Sequence, residues 1–251
     1  MKVIIHGASG KMGAEVVKLV KSGYQNSEIY ALVDEQLNNS DTDKTYSDLA
    51  FCVKGADVII DFSHRSLTAK LCKYAEKTNT PLIIATTGQT AEELELIKET
   101  AKEVPVFYSG NMSIGIVLLI ELAKKAVSVM PDADVEIVET HHNRKLDAPS
   151  GTALMIADGI KEVRENATTV YGRSGHQKRE PNEIGIHSLR LGDVIGEHQV
   201  IIATDTQTLT LKHRAHARSL FAESAIKAAK YLTEQKAGLY NMKDMLKNEK
   251  N

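Results

Sequence analysis

Two cysteines, Cys52 and Cys72, are all that the 251 residues contain. They stand far apart with no C-x-x-C pair, which argues against a disulfide framework or a zinc cluster and fits a reducing cytoplasm. Excess positive charge is missing as well. Lysine and arginine number 31 against 33 aspartates and glutamates, a net charge of −2, so no basic surface points to nucleic acid or to anionic lipid. No apolar run approaches the roughly 20 residues that cross a bilayer. No leader is expected either, because the strand-like KVIIHGASG begins at once. Repeats and low-complexity tracts are absent, and only the tail KNEKN reads as frayed. What remains is 42% hydrophobic and 25% charged, enough for one or two compact domains with proper cores.

Short β-rich runs alternate with helical patterns through the first half. Strands are expected near 3–6, 29–33, 58–62, 82–85 and 106–108, with amphipathic helices over 11–22, 65–78 and 92–103. Such alternation predicts an α/β, doubly wound parallel sheet covered on both faces. The texture then changes. After a helix over 114–130 come strand-like runs at 133–139, 184–191, 200–203 and 208–212, with one helix at 152–163 among them. This predicts a second, α+β domain with an open mixed sheet. SLFAESAIKAAKYL (219–232) is a strong helix that returns to the first domain. The expected division is 1–112, joined by the C-terminal segment 216–251, and 113–215.

VIIHGASGKMG places Gly7, Gly10 and Gly13 between a buried strand and a helix start. A dinucleotide site needs such a loop: a tight turn, backbone that approaches a pyrophosphate with no Cβ in the way, and a helix N-terminus facing the anion. The G-x-x-G-x-x-G spacing differs from the commoner G-x-G-x-x-G, so position carries weight beside it. Asp34 ends the next strand, where an acid holds the adenosine ribose hydroxyls. Glu35 follows where a 2′-phosphate would want a cation, which favours NADH over NADPH, although Lys11 remains available. IIDFSHRS, IIATTGQT and YSGNMS each end an apolar strand with small polar residues on the same sheet edge, a pattern suited to a nicotinamide-ribose site.

ETHHNRKLDAPSGTA (139–153) is the densest chemistry in the chain. Extended backbone would point His141 and His142 to opposite faces, giving them different tasks. Arg144 and Lys145 add positive charge. Pro149 fixes one φ, and Ser150 is a good N-cap for the following helix. The amides of Gly151 and Thr152 with the helix dipole make a cradle for carboxylate or phosphate. Histidine titrates near neutrality, so either His141 or His142 is suited to deliver a proton in mid-reaction. A metal is not expected: adjacent histidines rarely converge on one ion, and no cysteine or well-spaced carboxylate completes a set. Two other dehydrogenase chemistries are missing their groups. No tyrosine has a lysine four residues on, and Met112 stands where an acylating enzyme of this layout needs a thiol. Hydride transfer with proton donation is left.

ETHHNRKLDAPSGTA closely resembles the signature of the bacterial 4-hydroxy-tetrahydrodipicolinate (dihydrodipicolinate) reductases of lysine and diaminopimelate biosynthesis. The resemblance runs nearly end to end, through VIIHGASGKMG, DVIIDFS, ATTG, GNMSIG, RLGDVIGEH and HRAHAR before FAESAIKAA. It implies a Rossmann-type N-terminal domain, a mixed-sheet domain that binds substrate and builds a cytoplasmic homotetramer, and NADH or NADPH as cofactor. By motif, Gly7, Ala8, Ser9, Gly10, Lys11, Met12, Gly13 and Asp34 correspond to the dinucleotide site. Ala85, Thr86 and Thr87, then Ser109, Gly110, Asn111 and Met112, correspond to further cofactor-contacting turns. His141 matches the proton donor, Lys145 the catalytic lysine and His142 a substrate-contacting histidine. Ser150, Gly151 and Thr152 match the carboxylate cradle. Ala85 replaces a usual glycine, Glu35 a frequent arginine, and Glu223-Ser224 stand where glycine is common. The readings that compete are another NAD-linked dehydrogenase of similar layout and a non-catalytic NAD(P) redox sensor, which would have no use for His141, Lys145 or the cradle.

Overall fold

A computed structural model describes residues 1–52 and 54–248, which form two compact units: residues 1–113 with those from 218 onward, and 114–217. Strands and helices are numbered in chain order through both units. The first unit holds β1 (Lys2–His6), β2 (Glu28–Val33), β3 (Thr45–Tyr46), β4 (Val58–Asp61), β5 (Leu82–Ile84), β6 (Pro105–Tyr108) and β12 (Gly238–Tyr240). They make one seven-stranded sheet in the order β12-β6-β5-β4-β1-β2-β3, and every pairing is parallel. The central strands read as unbroken apolar runs because both faces are covered. On one face Ile4, Ile59, Leu82 and Ile84 pack with Leu71 and Ala75 of α2 (Thr68–Thr78) and Ile97 of α3 (Ala91–Glu103). Elsewhere α6 (Ser219–Leu232) lies against β4, β5, β6 and α1 (Lys11–Lys21). Thr90 and Glu93 close a capping box at the start of α3, satisfying two of its otherwise unpaired amides.

In the second unit, β7 (Asp134–His141), β8 (Thr168–Tyr171), β9 (Glu183–Arg190), β10 (Gly196–Thr204) and β11 (Gln207–Ala215) form a sheet in the order β11-β10-β7-β9-β8. β7, β8 and β9 run parallel, while β10 is antiparallel to both its neighbours. The sheet is therefore mixed, and the fold class follows the sequence expectation. Val135, Ile137, Ile184, Ile186, Val200 and Ile202 alternate inward and pack against α4 (Ile114–Val129) and α5 (Gly151–Lys161). Three short strands, β3, β8 and β12, and the helix α7 (Met242–Asn248) were not anticipated. The run expected at 133–139 continues two residues further, which places His141 on the strand itself.

Candidate active site

β1 ends at His6 and the chain turns at Gly7, whose φ is +80°. A Cβ on Gly7 would meet the backbone of Phe62 and Ser63 at 2.7 Å, and one on Gly13 would stand 2.0 Å from the Gly7 carbonyl oxygen. Both positions therefore need glycine, one for conformation and closeness, the other so that α1 can pack onto the turn. Beside this loop lies a cavity of about 420 Å³, walled in part by Gly7, Ser9, Gly10 and Asp34. The Asp34 carboxylate accepts the Ser9 N–H at 3.1 Å and the Gln36 N–H at 3.1 Å. It ties the glycine loop to the end of β2. Ala8, Lys11, Met12 and Gly13 are not in the cavity wall; Ala8 and Gly13 are buried and Lys11 is exposed. The wall instead takes Glu35, Asp48, His64 and Lys70, and Lys70 Nζ pairs with Asp48 at 3.0 Å.

Ala85, Thr86 and Thr87 follow β5, and Ser109, Gly110, Asn111 and Met112 follow β6. These are carboxyl ends of adjacent parallel strands, the edge where such sheets bind ligands. Thr86 Oγ1 donates to Asp61 Oδ2 at 3.1 Å. Ser109 Oγ donates to the Asn111 carbonyl at 2.8 Å, and Met112 is buried. None of these residues contributes to the wall of the glycine-loop cavity.

The charged corner sits at the end of β7. Glu139 and His141, two residues apart on a strand, share a face, and His141 Nδ1 lies 2.6 Å from Glu139 Oε2. Glu139 is fully buried. Its carboxylate also accepts both guanidinium NH groups of Arg190, at 2.9 Å each, and the Ser150 N–H at 3.1 Å. Burial alone would push its pKa up, but bonds from His141, Arg190, Ser188 and the Ser150 amide outweigh that and hold it well below the carboxylate range. A permanent acceptor at Nδ1 holds a proton there and leaves Nε2 as the ring nitrogen not engaged by Glu139. Gly196 faces it: a Cβ there would stand 3.2 Å from Nε2.

Behind His141 lies His198, 3% exposed. The two rings meet edge to face at 5.2 Å. Burial, then the charge of a protonated His141, drive the His198 pKa down to about 3, so this ring is neutral at pH 7. His198 Nε2 lies 3.2 Å from Ser150 Oγ, and the same oxygen accepts the Ala153 N–H at 3.2 Å as the N-cap of α5. Ser150 is buried and shapes the helix start from inside, whereas Gly151 is exposed at its tip. Lys145 turns back on His142 through an N–H to carbonyl bond of 3.1 Å, and its Nζ pairs with Asp147 at 2.8 Å. For Asp147, burial raises the pKa, but the Lys145 bond and charge outweigh it and the net shift is downward. Arg190 also donates to the Asp147 carbonyl at 2.6 Å, so one guanidinium fixes both the strand end and the loop. A carboxylate-bound histidine, a lysine and a dipole-bearing helix start thus stand together in one segment. Glu139, Arg190 and His198 were not anticipated. Among the described residues no group of three or more His, Cys, Asp or Glu is placed to hold a metal ion, and no helix is long and apolar enough to cross a membrane.

Residues 1–112 match the family described as dihydrodipicolinate reductase, N-terminus, and residues 115–246 match its C-terminal counterpart. A curated 4-hydroxy-tetrahydrodipicolinate reductase from Caldanaerobacter subterraneus subsp. tengcongensis is 49% identical over 249 residues, covering 98% of each chain. Its counterpart from Clostridium perfringens is 43% identical over 252 residues with the same coverage. A solved dipicolinate-bound dihydrodipicolinate reductase from Paenisporosarcina sp. TG-14 superposes with a TM-score of 0.78 at 29% identity, covering 96% of this chain and 97% of that one.

Proposed function

The chain belongs to the dihydrodipicolinate reductase family of oxidoreductases, and from that premise we propose how its residues reduce 4-hydroxy-tetrahydrodipicolinate to tetrahydrodipicolinate in lysine and diaminopimelate biosynthesis. The observation that carries the assignment of roles is the Glu139-fixed His141 beside the helix start at Gly151. The glycine loop from Gly7 to Gly13 and Asp34 hold the dinucleotide, with Ala85 to Thr87 and Ser109 to Met112 serving its nicotinamide end. When bound, the dinucleotide supplies a hydride. Glu35 and Asp48 in the cavity wall disfavour a 2′-phosphate, which supports NADH as the better donor.

The substrate is a small cyclic dicarboxylate. The relative solved with dipicolinate bound supports that class of ligand. Gly151 and Thr152 offer amides at the positive end of α5, Ser150 sets their geometry, and Lys145 and His142 neutralise and orient the carboxylates. After loss of water the ring is a conjugated imine. Hydride adds at the carbon β to the imine carbon, negative charge spreads as an enamine, and His141, charged as an imidazolium by a proton from solvent while Nδ1–H stays on Glu139, gives its Nε2 proton to the neighbouring ring carbon and is left neutral. Lys145 stabilises the charge in that step. We also place the enzyme in the cytoplasm as a homotetramer assembled through the second unit, which sedimentation of the full chain tests. The reaction is tested by mixing freshly made synthase product with NADH and, separately, NADPH. Oxidation of both with higher kcat/KM for NADH is expected; oxidation of neither overturns the proposal.

A further inference from the structure

His6 ends β1 immediately before the glycine loop, and the roles assigned above do not use it. Its ring is only 6% exposed, yet it forms part of the cavity wall. Parallel pairing of β1 and β4 sets His6 opposite Asp61, with Nδ1 2.8 Å from Asp61 Oδ1. The buried Asp61 carboxylate also accepts the Ser63 N–H at 3.2 Å, the Ser63 hydroxyl at 2.6 Å and the Thr86 hydroxyl at 3.1 Å. Thr86 in turn accepts from Gln89 at 2.9 Å, and Gln89 accepts from the Tyr108 hydroxyl at 3.0 Å. A continuous hydrogen-bonded chain therefore runs along the carboxyl ends of β1, β4, β5 and β6. At its cavity end, Asp61 takes the Nδ1 proton and leaves Nε2 as the ring nitrogen available to a ligand.

The charges around this ring matter for a ligand carrying a diphosphate. Asp61 faces it from β4. Asp48, ahead of the turn at Leu49–Phe51, lies within electrostatic reach of His6, and Asp34 and Glu35 stand at the end of β2 in the same wall. Lys70 of α2 is the sole permanent cation among the described lining residues and is already paired with Asp48; His64 is the other imidazole. Beyond the amides of the glycine loop, a wall so rich in carboxylates offers a diphosphate little positive charge, and an imidazole that takes up a proton there would supply it.

We propose that His6 is a cofactor-positioning residue that takes a proton from solvent as the dinucleotide binds. Its Nε2–H then donates to a diphosphate oxygen while Nδ1–H stays on Asp61. Two bonds fix the ring, and the Asp61–Thr86–Gln89–Tyr108 chain fixes the strand ends relative to it. This inference rests on the cavity being the dinucleotide site.

Calorimetric titration of NADH into the full-length protein, in buffers of differing ionisation enthalpy, measures the proton directly. Net uptake approaching one proton is expected near pH 7.5. The NADH Kd should weaken by roughly tenfold from pH 6.5 to 8.5. His6→Gln should abolish the uptake and flatten that profile while the dicarboxylate KM moves by less than about twofold; His6→Asn, which retains a donor for Asp61, serves where Gln does not fold. NADH binding with no proton uptake and a flat Kd overturns the role of His6 but leaves the cavity's assignment standing, as does uptake that survives in the variant. Absence of NADH binding by the wild type overturns both.

Discussion

Glu139 Oε2 lies 2.6 Å from His141 Nδ1, and the same buried carboxylate holds Arg190 and the amide of Ser150. One acid therefore holds both the His141 ring and the start of α5, the two groups to which the proposed mechanism gives proton donation and carboxylate binding. Glu139→Gln keeps the shape but offers an amide where Nδ1–H and a guanidinium need an anion. We expect kcat to fall by about 10²–10⁴, as when an acid that orients a catalytic histidine is lost. Taking the carboxylate away from Arg190, which keeps only backbone carbonyl acceptors, should cost about 3–5 kcal/mol of stability. Steady-state kinetics with denaturant unfolding reads both; a variant with more than half the wild-type kcat would show that Glu139 does not orient His141.

His141 itself should show the signature of a general acid. His141→Gln is expected to lower kcat by roughly 10²–10⁴ with little change in KM, because glutamine fills the space but transfers no proton. A full-speed variant would remove His141 from the mechanism. A raised KM with unchanged kcat would instead assign it to substrate binding.

Acid should destabilise the second unit in two stages. His198 titrates at about 3 when folded against 6.5 as its ordinary value, because of burial first and the charge of His141 second. The unfolded chain therefore binds the proton first, and stability present above pH 6.5 is lost as pH falls from there towards 3, by up to about 1.4 kcal/mol per unit. Glu139 has a depressed folded pKa against an ordinary value of 4.5, so its contribution is complete above pH 4.5 and declines below it. Urea midpoints between pH 7.5 and 4.5 should fall for the wild type and much less for His198→Gln. Parallel slopes for the two proteins would deny His198 this part.

The legibility of the site followed the range of the forces involved. Gly7 and Gly13 could be read from the sequence because their demand is local: a turn and a helix start with no room for Cβ. The start of α5 was readable because Ser150 caps its own helix three residues on. Glu139 was within reach too, since its two-residue spacing from His141 on a strand puts both on one face. Arg190 and His198 were not. They arrive by register, His141 opposite Arg190 through β9 and Glu139 opposite His198 through β10, and sheet order is set by packing across distant segments. β3 and β12, two and three residues long, carry too little pattern to read and exist as edge pairings on strands already formed.

Cofactor choice should turn on Glu35. Together with Asp34 and Asp48 it lines the cavity, and a 2′-phosphate placed there would meet carboxylates. Glu35→Arg exchanges a repulsion for a charge-assisted bond, an interaction of about 1.5–3 kcal/mol. The kcat/KM for NADPH should rise by roughly tenfold to a hundredfold, while that for NADH changes much less. The assay is the same reduction followed with each dinucleotide. Equal changes for both cofactors would mean that position 35 is remote from the 2′ substituent.

Gly196 opens β10 directly opposite His141, where a Cβ would stand 3.2 Å from Nε2, the nitrogen to which the proposed mechanism gives the proton. That separation is too tight for comfortable contact but too loose to prevent folding. Gly196→Ala should therefore fold, with a stability loss of about 1–3 kcal/mol for overpacking. Its main effect should be chemical. The methyl pushes on an imidazole already pinned at Nδ1 by Glu139 and backed by the ring of His198, so the ring must tilt or the approach to Nε2 narrows. A misplacement of about 1 Å costs on the order of 10² in rate, and we expect kcat to fall by about 10–10² with the NADH Kd unchanged. Wild-type turnover in Gly196→Ala would mean that the proton leaves His141 by another route than the side facing β10.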